Sequence, residues 1–319
     1  MLLASPDLVP LEYACRWANG KALSEDQSEN PELALPSVTP SWALGPAHPP
    51  IPYSTAFEVC TPHPRTSIRG GPPRFLLNFS ILVLKGRFLD RISMSSSVMF
   101  CSQSSFLVVV DESYIQDDSQ ILMNWHAVLS HLGIAVENAA RLCRAIAGMP
   151  TWCPTQQEGH SIDETYAFYF WSYFRYFANG VREHGPQHGL DVSSTLEQCD
   201  SLIQELAAQL SGLIDLDSFH PGSPPSPEEQ RAAIELGDHA VMHGRSFCAT
   251  KDGRVCNAMH KPENGDLITA FEGSERLFIL RPSGARYRLI GEVYVDGLMK
   301  GEAYEGVDPD EVDYDIELV

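Results

Sequence analysis

The sequence predicts an α+β protein, a helical body with a small antiparallel β-meander or barrel-like module near the C-terminus. Three observations lead there. Apolar residues recur at helical spacing between Ile121 and Leu210. Beyond Gly244, five short β-favouring runs alternate with turn residues. The 319 residues are 44% apolar, enough to furnish a sizeable core.

The elements follow in chain order. Thirteen of the 23 prolines fall in the first 75 residues, so residues 1–74 read as a Pro-rich, mostly irregular segment. One short helix is expected there, with Leu11, Ala14, Cys15 and Ala18 on one face and Asn19-Gly20 as its stop. Residues 75–225 read as a strand pair followed by the helical body. Phe75, Leu77, Phe79, Ile81 and Val83 alternate as in a half-buried strand, which Gly86 is expected to turn or bulge. Phe106–Val110 is the second β-favouring run.

Two helical stripes come next. The first is Ile121, Leu122, Trp125, Val128, Leu129 and Leu132; the second is Val136, Ala139, Ala140, Leu142, Cys143 and Ile146, closed by Gly148 and Pro150. Tyr166–Phe177 holds nine aromatics in twelve positions and reads as a helix buried on nearly all sides rather than a ligand cage. Ser194-Thr195-Leu196-Glu197 and Ser226-Pro227-Glu228-Glu229 both fit the capping box Ser-x-x-Glu. The first starts a helix that turns Leu196, Cys199, Leu202, Ile203, Leu206 and Leu210 inward; the second starts one expected to run to His243.

Residues 226–303 therefore read as a capped helix plus a five-stranded antiparallel module. Its strands are expected at 246–250, 255–259, 267–271, 277–281 and 287–295. Pairing Arg281 with Tyr287 across Pro282-Ser283-Gly284 would set Arg276 opposite Glu292. Residues 304–319 read as a solvated, mobile acidic tail, since eight carboxylates and no Lys or Arg occupy the last nineteen positions.

Charge and cysteine usage bound the function. The formal charge is −20, from 42 acidic against 22 basic residues, and it disfavours nucleic acid and anionic membranes as partners. The eight cysteines are expected as reduced thiols in a cytoplasmic protein. No run of about 18 apolar residues predicts a membrane span, and Met1–Ala4 lacks the basic start of a signal peptide.

The best metal constellation is His239 and His243, one helical turn apart, followed by Cys248, Cys256 and His260. A two-residue turn at Asp252-Gly253 would put the two sulfurs on opposite faces of a hairpin; a three-residue turn would put them on one. Gly-x-Ser-x-Gly, His-Glu-x-x-His and phosphate-loop patterns are lacking, so neither a catalytic residue nor a cofactor is expected.

The run from Arg245 to Ala303 carries a further pattern: Arg245-Ser246-Phe247, Gly253, Gly265-Asp266, Leu280-Arg281-Pro282, Gly291-Glu292-Val293-Tyr294-Val295 and Gly297-Leu298-Met299-Lys300-Gly301-Glu302-Ala303. It resembles the C-terminal region of fungal heterokaryon-incompatibility (HET domain) proteins, with Asp296 where that family often has His. Leu35-Pro36-Ser37 with Pro40-Ser41-Trp42, and Gly86, Asp90 and Ile92, echo it upstream. The HET domain's own motifs, Leu-Ser-Tyr-x-Trp-Gly and Trp-Ile-Asp-x-x-Cys-Ile-Asn-Gln, do not occur.

The resemblance implies a non-enzymatic regulatory or interaction region acting in self/non-self recognition and programmed cell death, with an adjacent HET domain or another protein as partner. It draws attention to Gly265, Asp266, Arg281, Gly291, Glu292, Tyr294, Gly297, Gly301 and Glu302. The chain would then be the part that follows a HET domain, and a truncated gene product is one form of that reading. The alternatives are a divergent metal-dependent enzyme and an accessory protein of a fungal gene cluster.

Overall fold

The computed structural model describes residues 74–76, 81–99, 112–148, 152–155, 159–214, 216, 219–240, 244–259, 261–272, 274, 276–305 and 314–319. The helix expected at residues 11–18, the motif at residues 35–42 and the strand expected at residues 106–110 lie outside them. In chain order the elements are β1 (Arg74–Leu76), β2 (Ile81–Ser95), α1 (Glu112–Leu132), α2 (Val136–Ala147), α3 (Ile162–His184), α4 (Ser193–Gln209), α5 (Pro227–His239), β3 (Arg245–Thr250), β4 (Val255–Met259), β5 (Leu267–Phe271), β6 (Leu277–Ser283), β7 (Arg286–Val295) and β8 (Tyr314–Leu318). The fold is α+β, as expected, with the strands gathered mainly after the helices. Two compact units divide the chain, residues 94–257 and residues 1–93 with 258–319.

In the unit of residues 94–257, α3 is the central helix. Phe170, Trp171 and Phe174 are fully buried, and Tyr166, Phe168, Tyr169 and Tyr173 nearly so. Trp125 of α1 meets Phe170, Tyr173, Phe174 and Phe177 at ring-centroid separations of 5.6–6.3 Å. The inward stripes of α1, α2 and α4 are buried as their periodicity requires, except Leu132, Val136 and Leu196 at the stripe ends, which are half-buried.

Ser161 caps α3 through a full capping box with Glu164, a pattern that Ser161-Ile162-Asp163-Glu164 already carries in the sequence. The box expected at Ser194 is absent. Helix α4 starts two residues earlier, at Ser193 with Val192 as its N-cap; the Ser193 N–H bonds the Asp191 carboxylate at 3.1 Å, so an Asx turn replaces the box. The box at Ser226 and the Pro227 start of α5 are present. Helix α5 ends at His239, short of the expected His243, because Gly237-Asp238-His239 are weak helix formers and Ala240 is extended.

The other unit is built on a ring of strands. Strand β2 pairs antiparallel with β5, β5 with β6 and β6 with β7. Strand β7 meets β8 in parallel at Tyr287 and Leu318, and β8 returns antiparallel to β2 from Leu82↔Leu318 to Gly86↔Tyr314. Leu82, Leu84, Phe271, Phe278, Leu280, Leu289, Ile316 and Leu318 form the shared core.

Three elements depart from expectation. Residues 314–318 belong to strand β8 instead of a mobile tail, because Ile316 and Leu318 alternate with Asp315 and Glu317 and bury themselves between charges. Gly86 neither turns nor bulges β2. It lies mid-strand, paired with Phe271 on one side and Tyr314 on the other, where a Cβ would stand 2.3 Å from the Ala270 carbonyl oxygen. The bulge falls at Leu89, between Phe88 and Asp90.

The last hairpin is the third. Arg281 pairs with Arg288, not Tyr287, across a two-residue Gly284-Ala285 turn. A bulge at Ile290 then shifts the ladder, so Phe278 rather than Arg276 stands opposite Glu292.

Candidate functional site

The family-like residues come together in the ring unit as a set of turns and clamps. Gly265, at φ 96°, makes the sharp turn into β5. Asp266, which follows it, is 2% exposed and accepts two parallel bonds from Arg281, Nε at 2.9 Å and Nη2 at 2.8 Å. Arg281 Nη1 adds Glu263 at 2.7 Å, and the Glu263 N–H returns to Asp266 at 2.8 Å. Hydrogen bonding to Asp266 holds the Arg281 guanidinium above its ordinary value, with partial burial opposing and the Asp266 and Glu263 charges adding.

Glu292, directly after Gly291 on β7, accepts Arg276 Nη1 at 2.7 Å in a nearly dry setting. The ion pair that the expected register implied thus forms, although the residues are not opposite. Beyond β7, Gly297 (φ 82°) and Gly301 (φ 91°) turn the chain. The Glu302 carboxylate takes the Lys300 N–H at 2.6 Å, while Met299 Sδ accepts the Val295 N–H at 3.3 Å. Arg87 of β2 donates to the Ala303 carbonyl at 2.7 Å and lies over the Tyr304 ring at 5.6 Å. Tyr294 is buried with its hydroxyl 3.5 Å from Asp296.

These residues set turns, dock the segment after β7 onto β2 and neutralise buried charge. Their carboxylates bond to arginines and backbone N–H groups of the same unit, an arrangement suited to a rigid surface.

The metal constellation is brought together only in part. Thr250 N–H bonds the Arg254 carbonyl at 3.0 Å and Gly253 N–H bonds the Thr250 carbonyl at 3.1 Å, with Gly253 at φ 76°. This is the three-residue turn with a glycine bulge. Carried two residues on, the register sets Cys248 opposite Cys256, so both sulfurs face one side of the hairpin, fully buried. Cys248 Sγ lies 3.6 Å from Ser95 Oγ. His243, His260 and the His239 side chain lie outside the described residues. Among the described residues no three His, Cys, Asp or Glu side chains group as a metal site.

One polar centre escaped the sequence reading. Arg175 of α3 is 3% exposed, pairs with Glu229 and donates to Ser223 O at 2.8 Å and Ser223 Oγ at 2.7 Å. It also lies over the Trp171 and Phe219 rings. Burial lowers the guanidinium from its ordinary value, and Glu229 opposes that shift. The signal was present, since a lone arginine in a helix buried all round requires a buried counter-ion.

Residues 233–311 match the family described as the Het-6 beta-barrel domain. No curated protein and no solved structure matches the chain. The match covers the family-like residues, and over that segment the likeness to heterokaryon-incompatibility proteins stands. Among the described residues no helix is long and apolar enough to cross a membrane.

Proposed function

We propose, starting from the match over residues 233–311, that the chain is a non-enzymatic regulatory and interaction region of the heterokaryon-incompatibility type, acting in the cytoplasm on an adjacent HET domain or a protein partner in self/non-self recognition and cell death. One observation supports this most: the family-like residues build clamps and turns. Asp266 with Arg281, Glu292 with Arg276, and Glu302 with the Lys300 N–H hold a surface in place. Contacts on such a surface that favour one state of an attached domain regulate it without chemistry.

The test is inducible expression of residues 1–319 in a fungal cell, alone and fused behind a HET domain, with viability counted. Gly86→Val, whose side chain would meet the Ala270 backbone, is the ring-disrupting control. The chain alone should leave viability unchanged, and the fused chain should alter killing only when the ring is intact. Death caused by the intact chain alone and abolished by Gly86→Val would reject the reading.

The shared face of Cys248 and Cys256 favours a second reading, a metal-dependent enzyme. Metal analysis of the purified protein decides it: about one zinc per chain, lost on Cys256→Ser, with turnover of a hydrolase substrate, would replace the first reading.

A further inference from the structure

The strand that closes the ring is held as a peptide ligand is held in a groove. Strands β5, β6 and β7 follow one another in the chain and pair in that order, whereas β8 fills the slot between β2 and β7. Its backbone pairs with β2 over five positions, and Val319 N–H bonds the Tyr287 carbonyl at 2.9 Å on the β7 side. Alternate side chains divide the work. Ile316 and Leu318 enter the core, next to Leu82, Leu84 and Leu289. Alternating with them, Asp315 stands opposite Lys85 in register, and Glu317 accepts Arg286 Nε at 2.9 Å. Main-chain pairing for affinity, alternate pockets for specificity and a rim cation for register are the components of strand addition.

We propose that the slot between β2 and β7 is a peptide-binding groove that reads an extended strand of alternating acidic and aliphatic residues, with β8 as its resident occupant and a strand of the same pattern on another protein as its exchange partner. A partner strand is preferred over a second copy of this chain because the formal charge of −20 opposes self-association. The inference stands on the strand pairing alone and is independent of the regulatory reading above.

The probe is a fluorescent peptide of residues 312–319, added to full-length protein and followed by anisotropy, with a scrambled peptide as control. Wild-type chain should bind it weakly, since β8 competes. Ile316→Ala, which loosens the resident strand, should bind at least about tenfold more tightly. Arg286→Glu combined with Ile316→Ala should prefer a peptide carrying Arg at position 317 over the native one, a reversal that loss of structure would not produce. Equal binding of native and scrambled peptides to a folded Ile316→Ala chain would overturn the proposal. If that variant does not fold, hydrogen exchange of the wild type decides. The β8 amides should exchange at least about tenfold faster than those of β6, and equal protection would overturn detachment. A concentration-dependent dimer of the Ile316→Ala chain in light scattering would overturn the choice of a foreign partner.

Discussion

At the scale of single residues, two charged groups, one buried and one half-buried, govern how the helical unit responds to change. Glu229 serves twice: it closes the capping box by accepting the Ser226 N–H at 2.8 Å, and it is the counter-ion of Arg175. Glu229→Ala leaves a guanidinium buried among Trp171, Phe219 and the Ser223 loop without a carboxylate, and such losses cost about 3–5 kcal/mol. Urea unfolding should show that loss, whereas Glu228→Ala on the exposed side should stay within about 0.5 kcal/mol. Asp118 of α1 is the second group. Desolvation, with the Asp117 charge adding to it, raises its carboxyl to about 7. Its pKa in the unfolded chain is about 4, so between these values the folded state binds the extra proton. The contribution is therefore fully present below pH 4 and is lost as pH rises through 7, by at most about 4 kcal/mol, less for a half-buried group. Asp118→Asn should flatten that fall in a series of urea midpoints, and an unchanged slope would remove Asp118 as its source.

At the scale of elements, the aromatic helix α3 carries the largest stake. Trp171 is fully buried, stacks on Phe168 and donates its indole N–H to the Ile203 carbonyl at 3.1 Å. Trp171→Ala should cost about 3–5 kcal/mol, while Tyr176→Ala, at a position 42% exposed, should stay within about 0.5 kcal/mol. Similar losses at both positions would place the segment differently from the structure. Helix α3 was legible in the sequence because nine aromatics in twelve positions leave no face for water. The strands of the last module were legible for a related reason: turn residues punctuate apolar runs, and the observed bounds differ from the expected ones by two residues or fewer. Register was not legible, since a bulge at Ile290 and a two-residue turn at Gly284-Ala285 depend on which backbone groups find partners. Strand β8 was hidden for yet another reason. A charge run reads as solvated, and only two alternate positions, Ile316 and Leu318, betray a buried face.

At the scale of the whole molecule, the ring unit is assembled from distant parts of the chain. The matched segment, residues 233–311, holds β5, β6 and β7 of the ring but neither β2 nor β8. Those two strands supply Leu82, Leu84, Ile316 and Leu318 to the shared core; β2 covers β5 over five positions, and β8 meets β7 at Tyr287. This explains why the family-like residues could be recognised while their site could not be built from sequence. Arg87, which holds the Ala303 carbonyl, lies 216 positions away in the chain, and no local pattern links them. Removing β2 and β8 leaves apolar surface and an unpaired β5 edge, the state from which strands aggregate. Expressed alone, residues 233–311 should therefore show no cooperative urea transition and should bind a hydrophobic dye. Residues 74–319, which restore both strands, should unfold in a sigmoidal transition without dye binding. A cooperative transition in the shorter fragment would mean that β3 to β7 suffice for this core, and that β2 and β8 close the ring without being needed to form it.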